Sequence, residues 1–387
     1  MSSVVYKDRK NTNSTKWDDC KEKFGKEDLL PLWVADMDFE VPECVRHALR
    51  EYVEFGVFGY YKPAAEYEEA FIRWEKTWHD YEVKREWIRF SPGVVPAINW
   101  IIQILTKEQD GVIIMPPVYY PFKDALVNNH RKVVESPLKR TEQGYVMDYE
   151  DFEQKIVDED VKLFVLCSPH NPVGRVWKAE ELRRVLDICR KHHVYVIADE
   201  IHQDLIMKGH RHVVAASVGE YDDMLITLTA ATKTFNLAAC QNSILIIPDE
   251  KLRDKYDDYL NRLRIKGGNA FGYIAVQSAY EKGREWLEEV LETIEGNYHY
   301  LRETLEKALP EVWISDLEGT YLMWIDLGAY VRPEDMESVI CEQCGLGVDY
   351  GAWFGSGENE SFIRVNLATC RENIEQAAGK IIGVLKK

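Results

Sequence analysis

KLFVLCSPHNPVGRVWKAEELRRVLDICRKHHVYVIADE, residues 162–200, holds two apolar runs on either side of an amphipathic one. It begins with a short apolar run, KLFVLCSP (162–169), and ends with another, VYVIADE (194–200); both have the length and branched-residue content of buried strands. Between them, KAEELRRVLDICRKHH (178–193) sets Leu182, Val185, Leu186 and Cys189 at helical spacing. Strand, amphipathic helix and strand make a crossover unit, which implies parallel strands with the helix on a sheet face. Outward from this unit, GVIIMPP (111–117), MLITLTA (224–230) and SILIIP (243–248) have the same texture. The alternation predicts an α/β fold with a mostly parallel sheet covered on both faces.

After Pro248 the texture changes to long charged helices, KLRDKYDDYLNRLR (251–264) and REWLEEVLETIEGNYHYLRETLEKAL (284–309). Strand TYLMWIDL (320–327), helix PEDMESVICEQCG (333–345), strand SFIRVNLA (361–368) and a terminal helix from Arg371 then read as a smaller α+β domain. The expected division is a large domain over 46–285 and a small one made of 1–45 plus 286–387, with the long helix near residue 300 joining them.

The 387 residues carry a formal charge of −18, which repels phosphate backbones and anionic membrane surfaces, so neither nucleic acid nor a membrane is an expected partner. The N-terminal residues MSSVVYKDRKNTNSTKWDD lack the apolar centre of a signal peptide, and the most apolar longer segment, VVPAINWIIQIL (94–105), is too short to span a bilayer. A cytoplasmic location is expected. The eight cysteines suit reduced, buried thiols, and the single C-x-x-C at Cys341 and Cys344 reads as two positions on one helix turn rather than a zinc site. No metal is expected.

In an open α/β sheet, ligands bind beyond the carboxyl ends of the strands. There the chain places Tyr119, Asn171, Asp199, His202, Thr232 and Lys233. Lys233 is the one formal charge between Asp223 and Asp249, and an ammonium in so apolar a window loses hydration, which lowers its pKa. A neutral amine can hold an aldehyde as an imine, and a buried carboxylate such as Asp199 can stabilise a protonated pyridine nitrogen. Tyr119 offers a stacking face, Asn171 a donor to a phenolate oxygen, and the Gly93-Val94-Val95 turn before an apolar helix offers N–H groups to a phosphate. Together these demands describe pyridoxal 5'-phosphate (PLP). Taken singly each has a plainer reading: Asp199 caps a turn, Asn171-Pro172-Val173-Gly174 is a turn sequence, and Tyr119 is one of 21 tyrosines.

The ordered blocks KWDD (16–19), LPLWVADMDF (30–39), GVFGYY (56–61), FSPGVVPAI (90–98), PPVYYPF (116–122), SPHNPVGRVW (168–177), ADEIHQDL (198–205), ATKTFNLA (231–238), GTYLMWIDL (319–327) and FIRVNLA (362–368) resemble fold-type I PLP enzymes of the class I/II aminotransferase group, and within it the MalY/PatB-type cystathionine β-lyases. The resemblance implies a carbon–sulfur β-lyase converting L-cystathionine or other cysteine S-conjugates to pyruvate, ammonia and a thiol. It makes Lys233 the Schiff-base lysine, Asp199 the partner of the ring nitrogen, and Asn171 and His202 neighbours of the ring oxygen. Arg364 becomes the ligand of the substrate carboxylate, and Trp33, Ala35 and Asp36 line the substrate pocket. Tyr60 matches a residue that reaches the neighbouring subunit's cofactor, which implies a homodimer with shared active sites. Ala230 and Gln241 stand where aminotransferases usually place a serine and an arginine for the phosphate, and Ala239-Cys240 where the lyases tend to have Gly-Leu. An aminotransferase and a regulatory protein that binds a transcription factor are the alternatives the same resemblance leaves open.

Overall fold

The computed structural model describes residues 4–142, 144–355 and 357–386. Its centre is a seven-stranded sheet of β1 (Ile88–Ser91), β2 (Gly111–Ile114), β3 (Lys132–Glu135), β4 (Val161–Cys167), β5 (Tyr195–Asp199), β6 (Leu225–Thr229) and β7 (Ser243–Ile246). The spatial order is β1-β7-β6-β5-β4-β2-β3. Strands β3, β2, β4, β5 and β6 run parallel, whereas β7 is antiparallel to both of its neighbours. Parallel strands covered on both faces read as unbroken apolar runs, and β6 is buried at every position.

Alternate residues of β4 feed two cores. Leu163, Val165 and Cys167 pack with the helix Val94–Leu105 on one face, while Phe164 and Leu166 join the core of the opposite face. That second face receives the helix Ala179–Lys191, which buries Leu182, Val185, Leu186 and Cys189, the stripe read from the sequence. The start of this helix is fixed by Glu181, whose carboxylate accepts from the Lys178 N–H at 2.8 Å.

The C-terminal unit holds a four-stranded antiparallel sheet of β8 (Trp313–Ile314), β9 (Leu322–Asp326), β10 (Asp349–Tyr350) and β11 (Phe362–Asn366), in the order β8-β9-β11-β10. The 25-residue helix Arg284–Ala308 leads into it and the helix Arg371–Leu385 closes it. The N-terminal segment pairs here too, Leu30–Pro31 lying parallel to Leu346–Gly347. Between β9 and β10 the structure corrects the sequence reading. The single helix expected over 333–345 is a 3-10 turn, Pro333–Asp335, followed by a π-helix, Ser338–Gln343, and left-handed Gly345 (φ 63°) turns the chain back. Cys341 and Cys344 are buried free thiols there, and no group able to hold a metal occurs among the described residues. No helix of the described residues is long and apolar enough to cross a membrane.

Candidate active site

A cavity of about 250 Å³ opens at the carboxyl ends of the parallel strands. Its wall contains Ala35, Gly93, Val94, Val95, Tyr119, Asn171, Asp199, His202, Thr232 and Lys233, all singled out in the sequence. The fold brings them together because β4, β5 and β6 end side by side: Cys167 is the register partner of Asp199, and Asp199 of Leu228.

Two wall groups have strongly altered acidities. Lys233 lies in a single helical turn, Ala231–Thr234, immediately after β6, and its Nζ donates to the Ala35 carbonyl at 2.6 Å. Burial lowers its pKa to about 8, Arg364 pushes the same way, and Asp36 and Asp199 oppose. Asp199 accepts from the Ile201 N–H at 3.1 Å, and burial pushes its pKa up to about 7 against that bond and the charge of Lys233. An amine and a carboxyl that each shed charge easily near neutrality now face one cavity.

The opposite wall is the start of the helix Val94–Leu105. Gly93 caps it with no side-chain hydrogen bond and Pro96 contributes no N–H, so the first-turn N–H groups of Val94 and Val95 are left to an anion. A methyl group at Gly93 would lie 3.2 Å from Pro96 Cδ, a tight contact with the helix's own first turn. His202 is held neutral: burial, then the charges of Lys233 and Arg364, push it well below the ordinary imidazole range. Its buried Nδ1 has no partner, and its ring meets Tyr321 edge to face at 5.9 Å. The buried Ser243 hydroxyl on the same wall is also unpartnered.

Arg364 lies behind this wall rather than on it. Its Nη1 donates to Asn171 Oδ1 at 3.1 Å, which turns the amide so that Nδ2, the donor end, is the one left for the cavity. Its Nη2 donates to the Trp33 carbonyl at 2.8 Å and to Asp349. The Trp33 indole is tied to the Lys16 carbonyl at 2.9 Å. Asp36 turns its carboxylate to Arg9 at 2.7 Å and Lys16 at 3.5 Å, so it reaches the cavity through charge alone. Tyr60 is not brought to the site at all; it is fully exposed in the irregular segment after the helix Glu43–Phe55.

Several residues here escaped the sequence reading. Tyr321 donates to the Ala35 carbonyl at 2.8 Å, beside Lys233. Ser243 reaches the wall because β7 runs antiparallel and so begins, rather than ends, at the rim. Behind Lys233, Thr234 donates to Asp204 at 2.8 Å, and the other oxygen of Asp204 accepts from Trp74 and pairs with His79, both at 2.8 Å. Burial would lower the His79 pKa, but Asp204 outweighs it and raises the value to about 9. His79 ends a π-helical turn, Glu75–His79, an irregularity that propensity does not reveal.

The donor set fits a flat heteroaromatic aldehyde with a protonatable ring nitrogen and an anionic tail. It offers an amine of lowered pKa, a desolvated carboxyl lacking a cation in contact, unpartnered buried donors and an uncapped helix start.

Comparison with known proteins points to the same cofactor. Residues 27–381 match the family described as aminotransferase class I and II. The chain is 39% identical over 375 residues to cystathionine beta-lyase PatB of Bacillus subtilis, covering 95% of this chain and 97% of that protein. The PLP-containing crystal structure of cystalysin from Treponema denticola superposes with a TM-score of 0.94 at 35% identity, over 100% of this chain and 98% of that one. A PLP-bound C-S lyase from Staphylococcus hominis gives 0.93 at 33% identity, over 99% and 97%.

Proposed function

Because the chain belongs to the aminotransferase class I and II family and has the fold of its PLP enzymes, we propose that it cleaves the Cβ–S bond of L-cystathionine and related cysteine S-conjugates, releasing a thiol, pyruvate and ammonia. Pyridoxal 5'-phosphate is the cofactor. The observation that carries the reading is the meeting of Lys233 and Asp199, each near the point of losing its charge, at one small cavity.

In this reading Lys233 would hold the aldehyde carbon covalently, Asp199 would pair with the ring nitrogen, and the amide of Asn171 and the neutral His202 would serve the ring oxygen. Tyr119 would cover the ring, and the Val94 and Val95 N–H groups with Thr232 would hold the phosphate. When bound, the cofactor supplies an electron sink for the carbon that loses a proton. The chain's own residues do the rest. Arg364 is assigned to the α-carboxylate, for which its Nε, unpartnered among the described residues, is the free donor, so the Cα–H bond meets a defined base. Lys233, once free and neutral, takes that proton at Nζ, and the Ala35 carbonyl, held by Tyr321, orients the amine. A thiolate leaving from Cβ completes the elimination without any keto-acid acceptor, and water hydrolyses the released aminoacrylate to pyruvate and ammonia. Tyr60 is assigned to the cofactor of a second subunit, which makes the working unit a homodimer.

The experiment is to supply purified holoenzyme with L-cystathionine and no keto acid. Equal amounts of thiol and pyruvate are expected, and amino-group transfer that requires 2-oxoglutarate would refute the reading.

A further inference from the structure

Asp349 and Arg364 are register partners on β10 and β11, so their side chains stand on one sheet face directly opposite each other. Both are almost fully buried, at 1% and 2% exposure, and the carboxylate accepts from Arg364 Nη2. The guanidinium is also held by two neutral acceptors, the Trp33 carbonyl and Asn171 Oδ1. The face of Phe354 lies 5.0 Å from its carbon. The charge of Arg364 is therefore matched before any substrate arrives. Orientation does not require that match, because the neutral acceptors already fix the plane. What the pair leaves unsatisfied is informative: Arg364 Nε and Asp349 Oδ1 are both buried without a partner among the described residues.

Lys233 is close enough for its pKa to feel the charge of Arg364, and other cations near this point are few. Lys16 and Arg9 are engaged by Asp36 and Asp38. Lys23 is exposed and lies over the Trp353 ring at 4.0 Å, close enough for its charge to be felt by Asp349. A substrate α-carboxylate thus brings a second anion to one guanidinium, and a further carboxylate on the ligand would bring a third into a desolvated site.

We propose that Asp349 is a specificity-determining residue: by neutralising Arg364 in advance it restricts the site to ligands with a single uncompensated carboxylate, and so rejects dicarboxylic amino acids and keto acids. Resting on the lyase reading, this names the substrate class as cysteine S-conjugates whose distal group is neutral or zwitterionic. It also accounts for elimination without a dicarboxylic acceptor. Discrimination of this kind works by placing a like charge against the wrong ligand.

The test is calorimetric titration of the holoenzyme with propionate and with succinate, in wild type and in Asp349→Asn. Asparagine keeps an oxygen for Arg364 Nη2, removes the charge and puts an NH2 in place of the unpartnered Oδ1. The variant is expected to bind propionate at least tenfold tighter, and succinate to gain by a larger factor. A purely supporting role for Asp349 predicts weaker binding of both, and equal or weaker binding overturns the proposal, as does an equal gain for the two ligands. Should the variant not fold, wild type alone still decides, because succinate binding tenfold tighter than propionate contradicts it. Failure to form pyruvate from any cysteine conjugate would defeat the lyase reading while leaving these titrations intact.

Discussion

Lys233 and Asp199 have opposite acid–base characters, yet burial moves both toward neutrality, to about 8 and about 7. Desolvation is the leading cause for both, and the charge of each opposes the other's shift. Lys233→Ala is expected to abolish thiol release while leaving the circular dichroism spectrum unchanged; retained turnover would exclude the lysine. Asp199→Asn keeps shape and removes the charge that would face the ring nitrogen. Its expected loss is about a hundredfold or more in kcat, the scale of removing one preorganised electrostatic contact. Asp199→Glu should recover part of that loss. At this scale much of the site was legible, because Lys233, Asp199, Asn171 and Thr232 follow apolar runs whose ends can be counted in the sequence. Asp349 was not legible: it sits in a two-residue strand, and only its register opposite Arg364 gives it meaning.

At the scale of elements, the lysine turn is held from behind by a second, buried cluster. The helix Ala65–Trp74 passes into a π-helical turn that delivers His79 to Asp204, and Asp204 holds Thr234, the residue after Lys233. Replacing Asp204 by alanine strands a buried imidazolium and is expected to cost about 3–5 kcal/mol of stability. The pair also carries a pH signature. Folding raises the His79 pKa from 6.5 to about 9, so its contribution is full below about pH 6.5 and disappears as pH rises through about 9. Urea midpoints of wild type and His79→Gln should therefore converge across that window, and a gap that stays constant would contradict the assignment. The parallel strands and the helix Ala179–Lys191 were readable from periodicity. The edge strands β1 and β3 were not, because IRFS and KVVE are short and half polar. The π-helices at Glu75–His79 and Ser338–Gln343 leave no mark in residue spacing that separates them from ordinary helix.

For the whole molecule, the exposed Phe55, Val57, Phe58, Tyr60 and Phe271 form an unusual surface on a chain with a charge of −18. The Phe58 and Phe271 rings lie 5.6 Å apart and both pack against Tyr52, so these two share one patch. In the proposed homodimer it is covered and Tyr60 enters the partner's cavity. Light scattering should give twice the 45.0 kDa chain mass. Tyr60→Ala should weaken cofactor affinity about tenfold, the value of one hydrogen bond to a charged group, without changing the Lys233 environment. A monomer with full cofactor affinity would remove Tyr60 from the site.

Lys233 is assigned as the covalent anchor of the cofactor, in the same cavity as Asp199. Reducing the yellow holoenzyme with borohydride and mapping its peptides by mass spectrometry tests this most directly. The added pyridoxyl mass is predicted on the peptide containing Lys233 and nowhere else; an unmodified Lys233, or the mass on another lysine, would contradict the account.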